Sequence, residues 1–395
     1  MNVERKSPTD WITVAEQLAQ ALAPGAAARD QAGGEADIEV DLLRQSGLLS
    51  FLNPVELGGG GGSYPQSQTI TRILAAADSN AAQILSYHYL LSHNALLRAT
   101  PDQRKVLLRD SIAEQWLWGG ASNPRDASLA LTLDKGGLRL NGRKNFASNA
   151  SVADRIVSVV DHQGSRLLLL VPQGAAGLHH GHDWTAFGQR RGVSGSIRFD
   201  DVALSREAVL GPFPPEPNAP ADPRLTLSVP LHQLYFVNLY LGTAQGALAE
   251  ARRYVIEEAR PWQTSGAARA SDDPYVLEQF GYLSADLQAS VALAEAVAED
   301  WQTAWEAGAA LTPAARDQVA ARVYAAKVNA TRTALVVTGQ IFELLGARAT
   351  AARYGFDRFW RNVRTHSLHD PLAYKAREVG NHAFHGVITP DPLYT

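Results

Sequence analysis

The stretch from Val319 to Leu345 constrains the fold more than any other. Val319, Val323, Ala326, Ala330, Ala334, Val337, Ile341 and Leu345 return every three or four residues, and Gly346 follows the last of them. That spacing keeps apolar side chains on one face of an α-helix, and a glycine just past the final turn is a common stop. So long an apolar stripe is covered best by other helices, which predicts a bundle. Ala15, Leu18 and Leu22, then Ile38, Leu42 and Leu43, predict helices near the start. Ile70, Ile73, Leu74, Ala77, Ile84, Leu85 and Tyr89 resume the period.

Near Trp116 the pattern changes. Leu129–Leu133 and Leu138–Leu140 read as strands, and Asn141-Gly142 predicts a hairpin turn. Arg155–Val160 and Leu167–Val171 flank the turn residues Asp161-His162-Gln163-Gly164, and Ser196–Phe199 closes the set. Short strands at this spacing predict a small barrel or sandwich. A proline-rich segment from Pro212 to Pro223 marks the next boundary. At 395 residues the chain is longer than one ordinary core. The expected order is an N-terminal helical domain over 1–113, a central β-domain over 114–212 and a C-terminal bundle over 213–395. The fold class is therefore mainly α with a central β-domain.

Composition excludes several functions. With no cysteine, disulfides, zinc–thiolate sites and thiol nucleophiles are ruled out. A net charge of −4 argues against nucleic acid as a partner. No twenty-residue apolar run exists and Met1–Pro8 lacks a signal-peptide core, so a cytoplasmic protein without a membrane partner is expected. The glycines at 58–62 lack the Gly-Lys-Ser/Thr ending of a phosphate loop and read as a flexible turn.

Candidate chemistry gathers in Arg358-Phe359-Trp360-Arg361-Asn362-Val363-Arg364-Thr365-His366-Ser367-Leu368-His369-Asp370-Pro371. Guanidinium, imidazole and carboxylate so close together suit an anionic ligand and proton movement, or else a satisfied hydrogen-bond network at a subunit contact. His366/His369 and His382/His385 have metal-pair spacing, but no His-Glu-x-x-His accompanies them, and no metal is expected. His179, His180 and His182 read as a solvated loop. Asn145–Ser151 and Gly119–Asn123 are small, polar and rich in free amides. Each alone is an ordinary turn; two in one β-domain suit a shared, flat, polar ligand. His88, between Tyr87 and Tyr89, reads as a core histidine with one hydrogen bond. Arg260, followed by Pro261 and Trp262, caps carbonyls or reaches for a phosphate.

These motifs together resemble the acyl-CoA dehydrogenase superfamily, and within it the flavin-dependent monooxygenase branch typified by dibenzothiophene monooxygenases. Ala259-Arg260-Pro261-Trp262, Asp273-Pro274-Tyr275, Asp183-Trp184 with Gly188, and Asn141-Gly142 with Lys144, Phe146 and Ser148 carry the resemblance. Arg353-Tyr354-Gly355-Phe356-Asp357-Arg358-Phe359-Trp360-Arg361-Asn362, continuing through His369-Asp370-Pro371, is its most specific part. It runs from about Trp11 to about Gly386. It implies N-terminal helices, a central β-domain and a C-terminal four-helix bundle, in a homotetramer with flavin held between subunits.

The superfamily's dehydrogenases carry a glutamate base in a Tyr-Glu-Gly-like stretch, and His366-Ser367-Leu368-His369-Asp370-Pro371 stands there without one. The implied reaction is therefore monooxygenation through a C4a-hydroperoxyflavin. No Gly-x-Gly-x-x-Gly follows a strand, so a separate NAD(P)H:flavin reductase is the expected source of reduced flavin. FMN is the implied cofactor, with FAD left open, and O2 and a small organosulfur compound are the implied substrates. By matched position, His369, Ser148 and His88 are the catalytic candidates. Phe146, Ser148, Arg260, Arg348, His366 and His369 bind the cofactor, with Arg260 coming from a neighbouring subunit. Tyr87, His88 and Trp184 line the substrate pocket. One position departs from the branch. Where relatives carry asparagine in the loop after the Trp118 strand, this chain has Gly120, so backbone amides substitute or the substrate differs. A dehydrogenase acting on acyl thioesters and a catalytically idle flavin binder remain the alternatives.

Overall fold

The computed structural model describes residues 9–134, 137–214 and 222–389. Six helices come first: α1 (Trp11–Leu22), α2 (Ala26–Ala32), α3 (Asp37–Ser46), α4 (Tyr64–Ala77), α5 (Ser79–Arg98) and α6 (Pro101–Ala113). Their starts are written locally. Ser63 and Gln66 close a capping box on α4, and Thr100 and Gln103 close another on α6. In both, a proline in the first turn occupies a position whose N–H has no helical partner.

Eight strands follow: β1 (Trp118–Ala121), β2 (Ala130–Asp134), β3 (Gly137–Lys144), β4 (Arg155–His162), β5 (Ser165–Pro172), β6 (Leu178–His180), β7 (Ile197–Leu204) and β8 (Val209–Leu210). They form two four-stranded sheets, ordered β1-β4-β5-β8 and β2-β3-β7-β6. The apolar run in β5 is explained by burial on both faces. Leu167, Leu169 and Val171 pack into the core between the sheets, while Leu168 and Leu170 pack outward with Ala95 and Ala99 of the α5 region.

The expected turn at Asn141-Gly142 is not a turn. Both residues lie inside β3, at a register shift opposite β7, where Asn141 Oδ1 accepts from the Asp201 N–H at 2.8 Å. Gly142 takes φ 131°, so the residue pair that favours a turn here makes a bulge. The β2–β3 pairing ends at Asp134 and Gly137, and the residues joining them lie outside the described set. The glycine strip is not a loose turn either. The N–H groups of Gly59, Gly60, Gly61 and Gly62 donate to Pro54, Ser50, Asn53 and Phe51. A Cβ at Gly59 would stand 2.3 Å from the Asn53 carbonyl oxygen, so the segment lies pressed against its neighbour.

The chain then returns to helix: α7 (Ser228–Glu257), α8 (Pro274–Glu306), α9 (Pro313–Leu345), α10 (Asp357–His366) and α11 (Leu372–His385). α9 stops where the sequence says, with Gly346 at φ 70°. The N-terminal helices and the bundle share one core, in which Ile70, Leu74 and Leu85 pack with Leu231, Tyr235, Trp301 and Val323. No helix among the described residues is long and apolar enough to cross a membrane.

Candidate active site

Three elements converge beside the β-domain: the segment following β3, the middle of α5, and the end of α10 with the loop after it. Past β3 the backbone twists into left-handed conformations at Phe146 (φ 53°) and Asn149 (φ 59°). Non-glycine residues rarely hold this geometry, and such strain gathers at functional sites. Asn149 is anchored by donating its amide to the Ile84 and Trp118 carbonyls. Phe146 is 66% exposed, with Trp184 edge-on at 6.1 Å. Trp184 is itself fixed, its indole N–H donating to the Gln189 carbonyl at 2.7 Å.

Behind this uncovered ring stands a row of polar groups. The Ser148 hydroxyl lies 3.4 Å from that of Ser194 and against that of Tyr87. Tyr87 reaches His366 Nε2 at 3.4 Å, and His366 Nδ1 meets the Tyr240 hydroxyl at 2.9 Å. Lys327 donates to the Tyr240 oxygen at 3.1 Å. Phe236 packs against the rings of both His366 and His369, which stack 6.0 Å apart. His369 is half exposed on the open side; Asp370 behind it is 4% exposed.

Electrostatics sort these groups. Burial holds His366 well below the usual imidazole range, with His369 and Lys327 adding to the effect, so the ring is neutral. Burial pushes Lys327 down to about 8, against the pull of Asp370. Asp370 lies 3.6 Å from His369 Nδ1 and 3.9 Å from the ammonium groups of Lys327 and Lys375. Burial alone would raise its carboxyl, but these neighbours outweigh it and hold the group below the usual carboxylate range.

The sequence candidates divide here. Ser148, Tyr87, His366, His369, Phe146 and Trp184 come together. His88 does not join them. Its Nε2 meets the Leu49 carbonyl at 2.8 Å and its Nδ1 accepts from the Trp118 N–H at 3.2 Å. With both ring nitrogens taken by backbone and burial lowering it to about 4, His88 has none left for a substrate. It is the core histidine the local sequence suggested, with two bonds rather than one. Gly120 lies within β1, and its N–H already donates to the Ser148 carbonyl at 2.8 Å. That amide is no substitute for a side chain. A Cβ there would meet Leu91 at 2.6 Å.

Arg260 and Arg348 lie elsewhere. Both are exposed and unpaired with any carboxylate among the described residues. Tyr240 stands 17 residues before the end of α7 and Lys327 18 before the end of α9. At 1.5 Å per residue, the helix ends that precede the two arginines lie about 25 Å along α7 and α9 from Tyr240 and Lys327.

Two arginines of the run from Arg358 to Pro371 are structural: Arg358 pairs with Glu250 at 2.5 Å, and Arg361 with Asp30 at 2.6 Å and Asp357 at 2.7 Å. Of its histidines, His366 is buried and His369 is partly exposed. His182, expected to be solvated, is exposed, and its Nδ1 meets Glu35 at 2.8 Å. No group of three or more His, Asp or Glu that could hold a metal occurs among the described residues.

Sequence reading missed Tyr240 and Lys327. One sign was present: Lys327 falls four residues after Val323, on the buried stripe, where an unpaired ammonium is costly.

The donor set fits a flavin ring. An exposed aromatic face lies beside hydroxyl and imidazole groups able to reach the heteroatoms at the edge of a flat polar ring.

Known proteins agree with this geometry. The N-terminal, middle and C-terminal domain models of acyl-CoA dehydrogenase match residues 12–115, 118–202 and 234–373. A dibenzothiophene monooxygenase of Rhodococcus erythropolis is 39% identical over 403 residues, covering 98% of this chain and 95% of that protein. Methanesulfinate monooxygenase MsuC from Pseudomonas fluorescens superimposes with a TM-score of 0.92 at 34% identity, covering 99% of this chain and all of that one. FMN-bound TdsC from Paenibacillus sp. A11-2 does so with a TM-score of 0.89 at 34% identity, covering 98% of this chain and all of that one. With that identity along its whole length, and histidines where the dehydrogenases keep a glutamate, the chain belongs to the flavin-dependent monooxygenase branch of the acyl-CoA dehydrogenase family.

Proposed function

We propose that this chain is the oxygenase of a two-component system, taking FMNH2 from a separate NAD(P)H:flavin reductase and oxygenating a small organosulfur compound with O2. The observation that carries this is the donor set from Ser148 to His369, open beside Phe146, with its neighbouring carboxylate locked behind it. A dehydrogenase needs a carboxylate free to take a substrate proton. Asp370 is buried among two lysines and a histidine that hold it ionised, which makes it a poor base. Dibenzothiophene and methanesulfinate, named in two relatives, support a sulfur compound as substrate.

Bound reduced flavin supplies the electrons that activate O2 at its C4a carbon. One oxygen atom goes to the substrate; the other leaves as water. Phe146, Ser148 and His369 are the residues to hold the ring, backed by the buried His366, whose two nitrogens meet Tyr240 and Tyr87. Ser148 and His369 donate hydrogen bonds to the reacting oxygen. Tyr87 and Trp184 wall the substrate side and keep water out. Arg260 and Arg348 suit the flavin phosphate, with Arg260 drawn from a second copy of the chain, in keeping with a homotetramer.

The test is anaerobic mixing with FMNH2, then O2, followed by stopped-flow absorbance, with 18O2 and a panel of sulfides, sulfinates and sulfones. An oxygen-dependent transient outlasting that of free FMNH2, and label in one product, is the expected result. Return to oxidised flavin at the free rate, with dye reduction by acyl-CoA on FAD-loaded protein, would establish the dehydrogenase instead.

A further inference from the structure

His366 can carry its proton on either ring nitrogen, and what the site offers a ligand depends on which. The groups behind it decide. Lys327, on the buried stripe of α9, is 1% exposed, and its ammonium can only donate. It donates to the Tyr240 oxygen at 3.1 Å. That leaves the Tyr240 O–H to turn the other way, toward His366 Nδ1 at 2.9 Å. Nδ1 must then accept, and the ring proton sits on Nε2, facing Tyr87 at 3.4 Å. Tyr87 then accepts from that N–H, with the Ser148 hydroxyl beside it.

We propose that Lys327, acting through Tyr240, fixes the tautomer of His366 and so aligns one directed row of hydrogen bonds, from Lys327 to Tyr87, toward the flavin-facing side of the cleft. Lys327 is a positioning residue here. It touches no reacting atom, and the row passes its polarity forward without moving a proton. The groups around it set its charge. Asp370, in the loop after α10, favours the ammonium, and Lys375 of α11 disfavours it. The Phe236 and Tyr240 rings of α7 face the ammonium from 4.6 Å each. His366 and His369 close the remaining side.

The charge matters because a neutral amine can accept. With Lys327 held down to about 8, alkaline pH frees the Tyr240 O–H to turn back, and His366 can then carry its proton on Nδ1. The inference concerns the resting ring and holds whichever reaction the site performs; only its catalytic use rests on the function proposed above.

The test reads the tautomer by 15N NMR of histidine-labelled, flavin-free protein, with the His366 signals assigned by their loss in His366→Gln. Wild type at pH 7 is expected to show Nε2–H alone. Lys327→Met and Tyr240→Phe are expected to lose that single form and gain Nδ1–H, as is wild type taken to pH 9. An Nδ1–H ring in wild type at pH 7 overturns the proposal, and so does an Nε2–H signal unchanged in Lys327→Met. If Lys327→Met does not fold, the wild-type pH titration decides: a tautomer constant between pH 7 and 9 overturns it. No flavin is present in any of these samples, so the outcome is separate from whether the protein oxygenates sulfur.

Discussion

The backbone N–H of Gln189 donates to the side-chain oxygen of Asn362 at 2.6 Å, joining a β-domain loop to α10. Trp184 leans on the carbonyl of the same Gln189, and His366 lies one helical turn beyond Asn362. One buried amide therefore sets the distance between an aromatic wall of the cleft and its histidines. Asn362→Ala leaves a buried N–H without a partner, and a loss of about 1–3 kcal/mol in urea denaturation is expected. An unchanged midpoint would mean the loop finds another acceptor.

His369 is the more exposed of the two imidazoles at the site. His369→Ala is expected to lower coupled oxygenation by about 100-fold or more while flavin oxidation continues, releasing peroxide. The ratio of product to FMNH2 consumed measures this. An unaltered ratio would remove His369 from the mechanism.

Asp370 offsets the charge of two buried lysines. Asp370→Asn keeps the shape and leaves the buried Lys327 ammonium without its carboxylate, which is expected to cost about 3–5 kcal/mol at pH 7. The carboxyl is depressed in the folded state, so its contribution is present above the unfolded value of about 3.9 and is lost as pH falls further. The difference between wild type and variant should therefore hold from pH 7 to about 4 and shrink below that.

Four histidines held down by burial, His88, His93, His232 and His366, make the protein sensitive to acid. Burial lowers His88 and His232 to about 4 and His93 to about 3. The unfolded chain binds protons at these rings near pH 6.5 and the folded chain does not, so stability falls as pH drops from about 6.5 toward 4. Urea midpoints measured across that range should decline, and less steeply in His93→Phe than in wild type. Parallel slopes would show that His93 is protonated in the fold.

If Arg260 completes a neighbour's site, two inactive variants should rescue each other. Co-expressed Arg260→Ala and His369→Ala chains would form mixed assemblies in which about a quarter of the sites receive both native residues by random association. Activity near that fraction is expected. No recovery, despite mixed assemblies seen by mass spectrometry, would place both residues in one chain's site.

How much of this could be read from the sequence depended on the range of the interaction. Gly346 ends α9 because the signal for a helix stop is local. Leu167–Val171 forms a strand for the same reason, although nothing local revealed that both its faces would be covered. Asn141-Gly142 misled because the pair favours left-handed backbone equally in a turn and in a bulge, and only the partner strand β7 decides between them. The site separates in the same way. Ser148 and His369 were proposed through resemblance, each from a short contiguous motif of its own. Lys327 and Tyr240 reach His366 from two other helices, 39 and 126 residues away, and no spacing rule covers that. His88 shows the opposite case: its plain local reading was right, and the role transferred from relatives did not survive its two backbone partners.

The β4–β5 layer, covered on both sides, bears on how such a protein can diverge. Leu168 and Leu170 answer to the α5 region as strictly as Leu167 and Leu169 answer to the opposite sheet. The β-domain thus has no outer surface here on which mutations could drift freely, and it could not be transplanted without the helices that roof it. Novelty in such a chain is pushed to the rims: the segment around Phe146, the loop carrying Trp184 and the turn after α10. Those are the places where a different substrate could be accommodated without disturbing the layers beneath.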